Sequence, residues 1–339
     1  MKKVALITGI LGQDGAYLAN FLISKNYKII GTSRNMSKSK IWRLKKLKIE
    51  NKIKFIKLDI CKINEIKKII RKHKIDEIYN FAAQSYVSKS FQSPVQTASV
   101  NALGVIKILE VIRNVNSKIK FYQASSSEMF GNTKEKSNKN YDNFNPRSPY
   151  AISKLFGHGI TKMYRNSYNL YAVSGILFNH DSPLRSEDFV TKKIVVGMIK
   201  ILKRKKKFLE LGNINTKRDW GYAKEFVPHI WRMMQLKKPE DFIIATGKSH
   251  SIKEFINMVT IYLNIDTKWV GKGINERLVN KRNNQIIIKI NKKLFRPSEI
   301  NYSRGIINKA SKNLNWKPKT TLKKLVKIMV EDEMINYST

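Results

Sequence analysis

At 339 residues the chain is long for one domain and comfortable for two, and its 42% apolar residues suit a sizeable core and exclude disorder. The formal net charge of +41 would suggest nucleic acid, but the lysines run from end to end and KRKKK at 203–207 is the only dense cluster. A generic basic surface is the better reading, and it still draws in a polyanionic small substrate. The single cysteine, Cys61, excludes an internal disulfide and suits a reducing cytoplasm. MKKVALITG begins like a signal peptide, but its apolar run ends at Thr8-Gly9, and no apolar run nears the roughly 18 residues of a membrane span.

In chain order, VALIT (4–8) predicts a short buried strand, followed by a helix through Tyr17, Leu18, Phe21 and Leu22. KIIGTS (28–33) and KFIKLD (54–59) are the next strands, and a helix follows over 63–73. EIYNFAA (77–83), KFYQASSS (120–127) and YAVSGILFN (171–179) continue the series, with crossover helices at about 97–114 and 150–168. Buried parallel strands joined by helices make a Rossmann-type doubly wound α/β sheet. Beyond Asn179 the pattern weakens, although FIIATG (242–247) reads as one more buried strand and a last helix starts near Leu322. The expected division is a nucleotide-binding domain of 1–179 plus about 221–250, and a smaller, discontinuous domain of 180–220 plus 251–339.

TGILGQDG joins the first strand to the first helix, with Gly9, Gly12 and Gly15 as G-x-x-G-x-x-G. Such glycines allow a tight turn and close approach to a pyrophosphate, with a helix N-terminus facing the anion. NAD sites usually place an acid at the end of the second strand. Here the residue is Arg34, which suits a 2′-phosphate and so NADP, unless it is one more surface cation. Asp59 either accepts from the adenine amine or only caps its strand end.

RSPYAISK (147–154) puts Tyr150 and Lys154 on one helix face. A lysine there is expected to lower the phenol's pKa, so that Tyr150 acts as a base on an alcohol losing hydride. The strand ending Ser125-Ser126-Ser127 is followed by an acid, Glu128, whose alternative reading is an exposed carboxylate with no chemistry.

With these motifs, and with NFAAQSYVSKSFQSP, GILFNHDSP, FVTKKI, RDWGYAKEFV and LFRPSEI, the chain resembles the extended short-chain dehydrogenases/reductases, and more closely the GDP-mannose 4,6-dehydratase family. The resemblance spans residues 3–335 and implies dehydration of GDP-mannose with hydride leaving C4 and returning to C6. It implies that Ser126 bonds the sugar, that Glu128 is the base at C5 and that Tyr150 and Lys154 act at C4 and on NADP. A ketone at C4 acidifies the C5 proton, which is the chemical reason for the extra carboxylate. It assigns Gln13, Asp14, Ile60, Ala82 and Arg185 to the cofactor with the glycines, Arg34 and Asp59. It assigns Ser85 and Asn179 to the substrate, Lys193, Arg218 and Arg296 to the GDP diphosphate, and Glu299 to the ribose. His180 reads as a structural hydrogen-bonder, and no metal is expected.

Four places depart from the family: Ser126 for Thr, which keeps the hydroxyl, Asp181 for Glu, Leu184-Arg185 for an Arg-Arg pair that reaches a neighbouring subunit's cofactor site, and Ser303-Arg304-Gly305 for a G-D-P turn. The resemblance implies a cytoplasmic homo-oligomer, dimer or tetramer, without nucleic-acid or membrane partners. The alternatives are the same reaction on another GDP-sugar such as GDP-manno-heptose, a GDP-4-keto-6-deoxy-sugar reductase, for which Glu128 has no task, and a basic nucleic-acid binder on a Rossmann scaffold.

Overall fold

Seven short apolar runs pair into one parallel sheet in the computed structural model, which describes residues 2–133 and 143–337. They are β1 (Val4–Thr8), β2 (Lys28–Ser33), β3 (Ile53–Lys57), β4 (Glu77–Asn80), β5 (Lys120–Ser126), β6 (Ala172–Leu177) and the strand Phe242–Ile244. Their spatial order is Phe242–Ile244, β6, β5, β4, β1, β2, β3, and every pairing is parallel. All residues of β4 and β6 are buried, as strands covered on both faces must be. The chain reverses direction across the sheet at β1, which has β2 on one side and β4 on the other. A crevice opens there at the strands' carboxyl ends.

One face of the sheet is covered by α1 (Gln13–Ser24) and the helix Ala223–Met233, the other by the helices Ile63–Lys72, Pro94–Val115 and Pro149–Tyr168. The run Pro94–Val115 holds a π-helical turn at Ser99–Leu103 and is apolar enough by composition to cross a membrane, which the sequence reading overlooked. Val105, Ile108, Leu109 and Ile112 bury its inner face against the sheet.

A second core lies under a four-stranded sheet ordered Thr267–Val270, Arg277–Asn280, Ile286–Ile290, Leu209–Leu211. The helices Val190–Leu202, Ile252–Tyr262 and Leu322–Ile335 supply its other side. The expected boundary differs in one place. Ala310, Leu314 and Trp316 pack into the first core, where Trp316 donates from Nε1 to the Ala245 carbonyl at 2.6 Å and meets Phe226 edge-on at 5.2 Å. The segment around Asn308–Leu314 therefore rides on the large sheet, because its tryptophan finds both an apolar pocket and an acceptor there.

Candidate active site

The glycine turn sits at the mouth of the crevice. Gly9 has φ +69°, and a Cβ there would lie 2.8 Å from the Ala82 amide nitrogen, so only glycine fits. A Cβ on Gly15 would lie 2.6 Å from the Gly9 carbonyl oxygen. Gly12 precedes α1 with no side-chain cap, so the first amides of the helix are left to a ligand.

Gln13 and Asp14 direct their side chains into the protein. His180 Nε2 stands 3.0 Å from Asp14 Oδ1, and its Nδ1 lies 2.6 Å from the Phe178 carbonyl oxygen. Both partners are acceptors, an arrangement that favours the imidazolium. Burial opposes each charge, but the pair prevails: His180 is raised and Asp14 lowered. Gln13 donates to the His180 carbonyl at 3.1 Å and accepts from Ser182 Oγ at 2.7 Å. These bonds clamp α1 to the strand Asn179–Asp181, which carries the chain into the second core.

The other cofactor candidates lie around this turn. Gly9 and Ile10 donate from their amides to the Thr32 carbonyl at 3.0 and 3.3 Å, which brings the end of β2 beside the glycines, with exposed Arg34 two residues past Thr32. Asp59 Oδ1 accepts from the Cys61 amide at 3.0 Å, the capping role. Ile60 is buried against Gly104, and the Ala82 amide donates to Thr8 Oγ1 at 3.2 Å; neither residue lines the cleft. Arg185 pairs with Asp181 at 2.9 Å and lies on the Phe189 ring in its own chain's cleft, not reaching outward as the family pair does. Leu184 is buried.

Ser126 ends β5, and its Oγ accepts from the Glu128 amide at 3.2 Å. That bond caps the short turn Ser127–Phe130 and fixes where Glu128 projects. Ser148 caps the helix Pro149–Tyr168, and Pro149 opens it with a preset φ, so Tyr150 falls in the first turn beside Ser126, with which its hydroxyl bonds.

The expected low phenol pKa is overturned. Burial pushes Tyr150 up to about 12, with the Ser126 bond pulling down and the Glu128 charge pushing up. Lys154 donates to the Ala124 carbonyl at 2.9 Å, and its ammonium lies 5.9 Å from the centre of the Tyr150 ring. Burial lowers Lys154 to about 8 against the pull of Asp14. The motif is in place, with its lysine held by the β5 backbone near the phenol ring.

Across the cleft from Tyr150, two acidic and two basic side chains form a chain of contacts. Arg296 Nη1 lies 3.8 Å from Glu128 Oε1 and 3.7 Å from Glu299 Oε1, and Arg218 Nη2 lies 3.1 Å from the same Glu299 oxygen. Arg218 also donates to the Ile300 carbonyl at 2.6 Å. Lys193 donates to the Glu210 carbonyl at 2.9 Å, and burial, with Lys206 adding, lowers it. Asn179 and Ser85 stand on the walls. One cleft of about 670 Å³ runs from Asp14 and Tyr150 to these groups, a size typical of ligand sites.

Sequence reasoning missed two supports. Asp219 is fully buried, and its carboxylate accepts from Thr246 N and Oγ1, Gly247 N and Gly305 N at 2.6–3.2 Å. A Cβ on Gly305 would lie 2.3 Å from the Ala245 Cβ, which explains the glycine of the unusual Ser303-Arg304-Gly305 turn. Arg43 donates to the Leu184 and Leu11 carbonyls at 2.6 and 2.9 Å, tying the glycine turn to the 184 loop. Nothing in a chain full of cations singles it out by spacing. The acid in RDWG and the glycine after Arg304 were the available signals for the first support.

Comparison with known proteins adds to this geometry. The sequence model of the GDP-mannose 4,6 dehydratase family matches residues 6–329. The chain is 43% identical to a GDP-mannose 4,6-dehydratase of Vibrio cholerae serotype O1, over 98% of this chain and 94% of that protein. It is 40% identical to the human GDP-mannose 4,6 dehydratase, over 98% of this chain and 92% of that protein. Among solved structures it is similar to dTDP-glucose 4,6-dehydratase of Bacillus anthracis in complex with NAD, with TM-score 0.81, 19% identity and coverage of 99% and 98%. RMD from Pseudomonas aeruginosa complexed with NADPH gives TM-score 0.74 at 17% identity, with coverage of 98% and 99%. At these identities the two structures speak for the fold alone.

Proposed function

The chain belongs to the GDP-mannose 4,6-dehydratase family, and on that footing we propose that it converts GDP-D-mannose to GDP-4-keto-6-deoxy-D-mannose with loss of water, using bound NADP. The observation that carries the reading is the grouping of Ser126, Glu128, Tyr150 and Lys154 at the carboxyl end of β5, with a third acid–base group where a simple reductase needs none.

The residues present fit the cofactor. The Gly9 cradle has no room for a Cβ, the first amides of α1 are uncapped and exposed Arg34, just past the end of β2, offers a guanidinium for a 2′-phosphate. Gly12 and Gly15, the Gln13 and Asp14 amides, Asp59 and Arg185 complete the site. Nicotinamide, when bound, supplies a store for one hydride within a turnover.

The chain's own residues handle protons and charge. Tyr150, acting as the phenolate that the buried Lys154 cation favours, takes the proton of the C4 hydroxyl and becomes the neutral phenol. Ser126 hydrogen-bonds the sugar at the same oxygen. Once C4 is a ketone, Glu128 removes the C5 proton as the C6 hydroxyl leaves, and proton and hydroxide together make the water lost. Lys193, Arg218 and Arg296 hold the diphosphate, Glu299 the ribose, and Ser85 and Asn179 the sugar side.

The test is isotopic. Substrate deuterated at C4 should give product with that deuterium at C6, and turnover in heavy water should place deuterium at C5. Deuterium at C6 drawn from the solvent, or product that keeps its C6 oxygen, would overturn the assignment.

Assembly follows from an apolar stripe. Ile152, Phe156 and Met163 stand exposed along one face of the helix Pro149–Tyr168, beside exposed Val95 and Leu103 of the neighbouring helical run. We propose that this face pairs with its copy in a homodimer, which works in the cytoplasm without nucleic-acid or membrane partners. Phe156→Glu should give a monomer by light scattering, and an unchanged mass would sink the proposal.

A further inference from the structure

The acid placed at C5 and the cations placed on the diphosphate share one side chain. Arg296 Nη1 stands 3.8 Å from Glu128 Oε1 and 3.7 Å from Glu299 Oε1. Arg218, the other guanidinium of the group, is anchored by contacts of 2.6 Å to the Ile300 carbonyl and 3.1 Å to Glu299. Arg296 is the looser of the two. Its side chain is 28% exposed against 8% for Arg218, and both its ionic contacts are longer than a hydrogen bond. Two carboxylates and two guanidiniums balance in charge. A diphosphate entering beside this balanced group competes with the carboxylates for its guanidiniums, and Arg296 is the one whose contacts are weakest. Phosphate oxygens offer a guanidinium short, paired, charge-assisted bonds that contacts near 3.8 Å do not match.

We propose that Arg296 is a positioning residue exchanged between Glu128 and the substrate's diphosphate. It holds the carboxylate while the cleft is empty and frees it for C5 when a nucleoside diphosphate arrives. The inference rests on reading the cleft as a GDP-sugar site, and it deepens that reading. A sugar that lacks the diphosphate leaves Glu128 tied to Arg296, so specificity for the nucleotide is written into the base as well as into the binding contacts.

A double-mutant cycle on GDP binding tests the exchange without any turnover. GDP is titrated calorimetrically into the protein as purified, at low ionic strength. Glu128→Gln keeps the shape and removes the competing charge, so GDP should bind about three- to fivefold more tightly, the scale of a partly exposed ion pair. In the Arg296→Met background the same substitution should change GDP affinity by less than about twofold, since there is no longer a pair to break. Plain repulsion between Glu128 and phosphate would give an equal gain in both backgrounds, and that result overturns the exchange. A Glu128→Gln protein that binds GDP no more tightly than wild type overturns it as well. If Arg296→Met does not fold, Arg296→Gln completes the same cycle. Failure of the wild type itself to bind GDP is a different outcome and removes the reading of the cleft.

Discussion

The two halves of the cleft are held by different kinds of bond. On the glycine side, the groups that clamp the turn meet at hydrogen-bond distance: Asp14 with His180 at 3.0 Å, Gln13 with Ser182 at 2.7 Å, Arg43 with two carbonyls. On the far side, Glu128, Arg296 and Glu299 meet across 3.7–3.8 Å at the seam between the two cores. The first half is a fixed cradle, built before its ligand comes, because buried polar groups are costly unless satisfied. The second half sets beside the anchored Arg218 one loosely paired cation, Arg296, that a charged ligand rearranges. Rigid shape serves the group that stays through the turnover, and exchangeable charge serves the group that comes and goes.

The sharpest way to break this comparison is at the two acid–base groups. Glu128→Gln should lower dehydration by about 100- to 10,000-fold, the usual loss for a general base. Tyr150 and Lys154 remain in that variant, so reduced cofactor should accumulate, read by its absorbance, without dehydrated product. Tyr150→Phe should lose both steps by a similar factor. Near wild-type dehydration by Glu128→Gln would leave the far side with no chemistry of its own.

On the cradle side, Arg34→Asp should weaken NADP binding by about ten- to a hundredfold, the range of one charge-assisted contact, and NAD binding far less. Fluorescence titration of both dinucleotides checks it. Equal affinity of the wild type for NAD and NADP would break the reading of the β2 end.

How much of this was legible follows the same division. The strands were readable as apolar runs, and β6 begins within one residue of its expected start, because burial on both faces leaves only apolar choices. Gly9, Gly15, Ser126 and Tyr150 were readable because each follows a local rule of turn, cap or helix face. The contacts of Arg296 with Glu128 and of His180 with Asp14 were not. They join residues more than 150 positions apart, and nothing local marks one cation among so many. The phenol's pKa was misjudged for the same reason. Burial, the largest influence on Tyr150, is a property of the packed whole and cannot be counted from a four-residue spacing.

A smaller effect separates stability from activity on Lys154. Burial lowers it to about 8 from 10.5. Between those values the unfolded chain binds a proton that the folded chain lacks, so the burial penalty is complete below about pH 8 and is relieved as pH rises to 10.5. Urea unfolding of wild type against Lys154→Met should show this contribution growing more favourable across that window. Activity should run the other way, with kcat/KM falling above about pH 8, approaching tenfold per unit, as the cation is lost. Lys154→Arg keeps its charge and should move that alkaline limb upward. A rate that holds level to pH 10 would show that the cation at Lys154 is not needed.

The smallest expected effect lies outside the cleft, on the cluster Lys203–Lys207. These side chains are exposed on the turn after the helix Val190–Leu202, and Lys205 lies over the Tyr337 ring at 5.4 Å. Lys206 acts on a cleft group, helping burial to lower Lys193. Exposed charges are screened within about 8 Å at physiological salt, so the cluster has little reach to the diphosphate site. Replacing all its basic residues by glutamine should weaken GDP binding by about threefold or less at low ionic strength, and the difference should disappear near 0.15 M salt. Single-stranded and duplex DNA should bind the wild type only weakly, with affinity dropping steeply as salt rises. Nanomolar DNA binding at physiological salt, lost with the glutamine variant, would turn this cluster into a second site and end the contrast between working charge inside the cleft and solvated charge outside it.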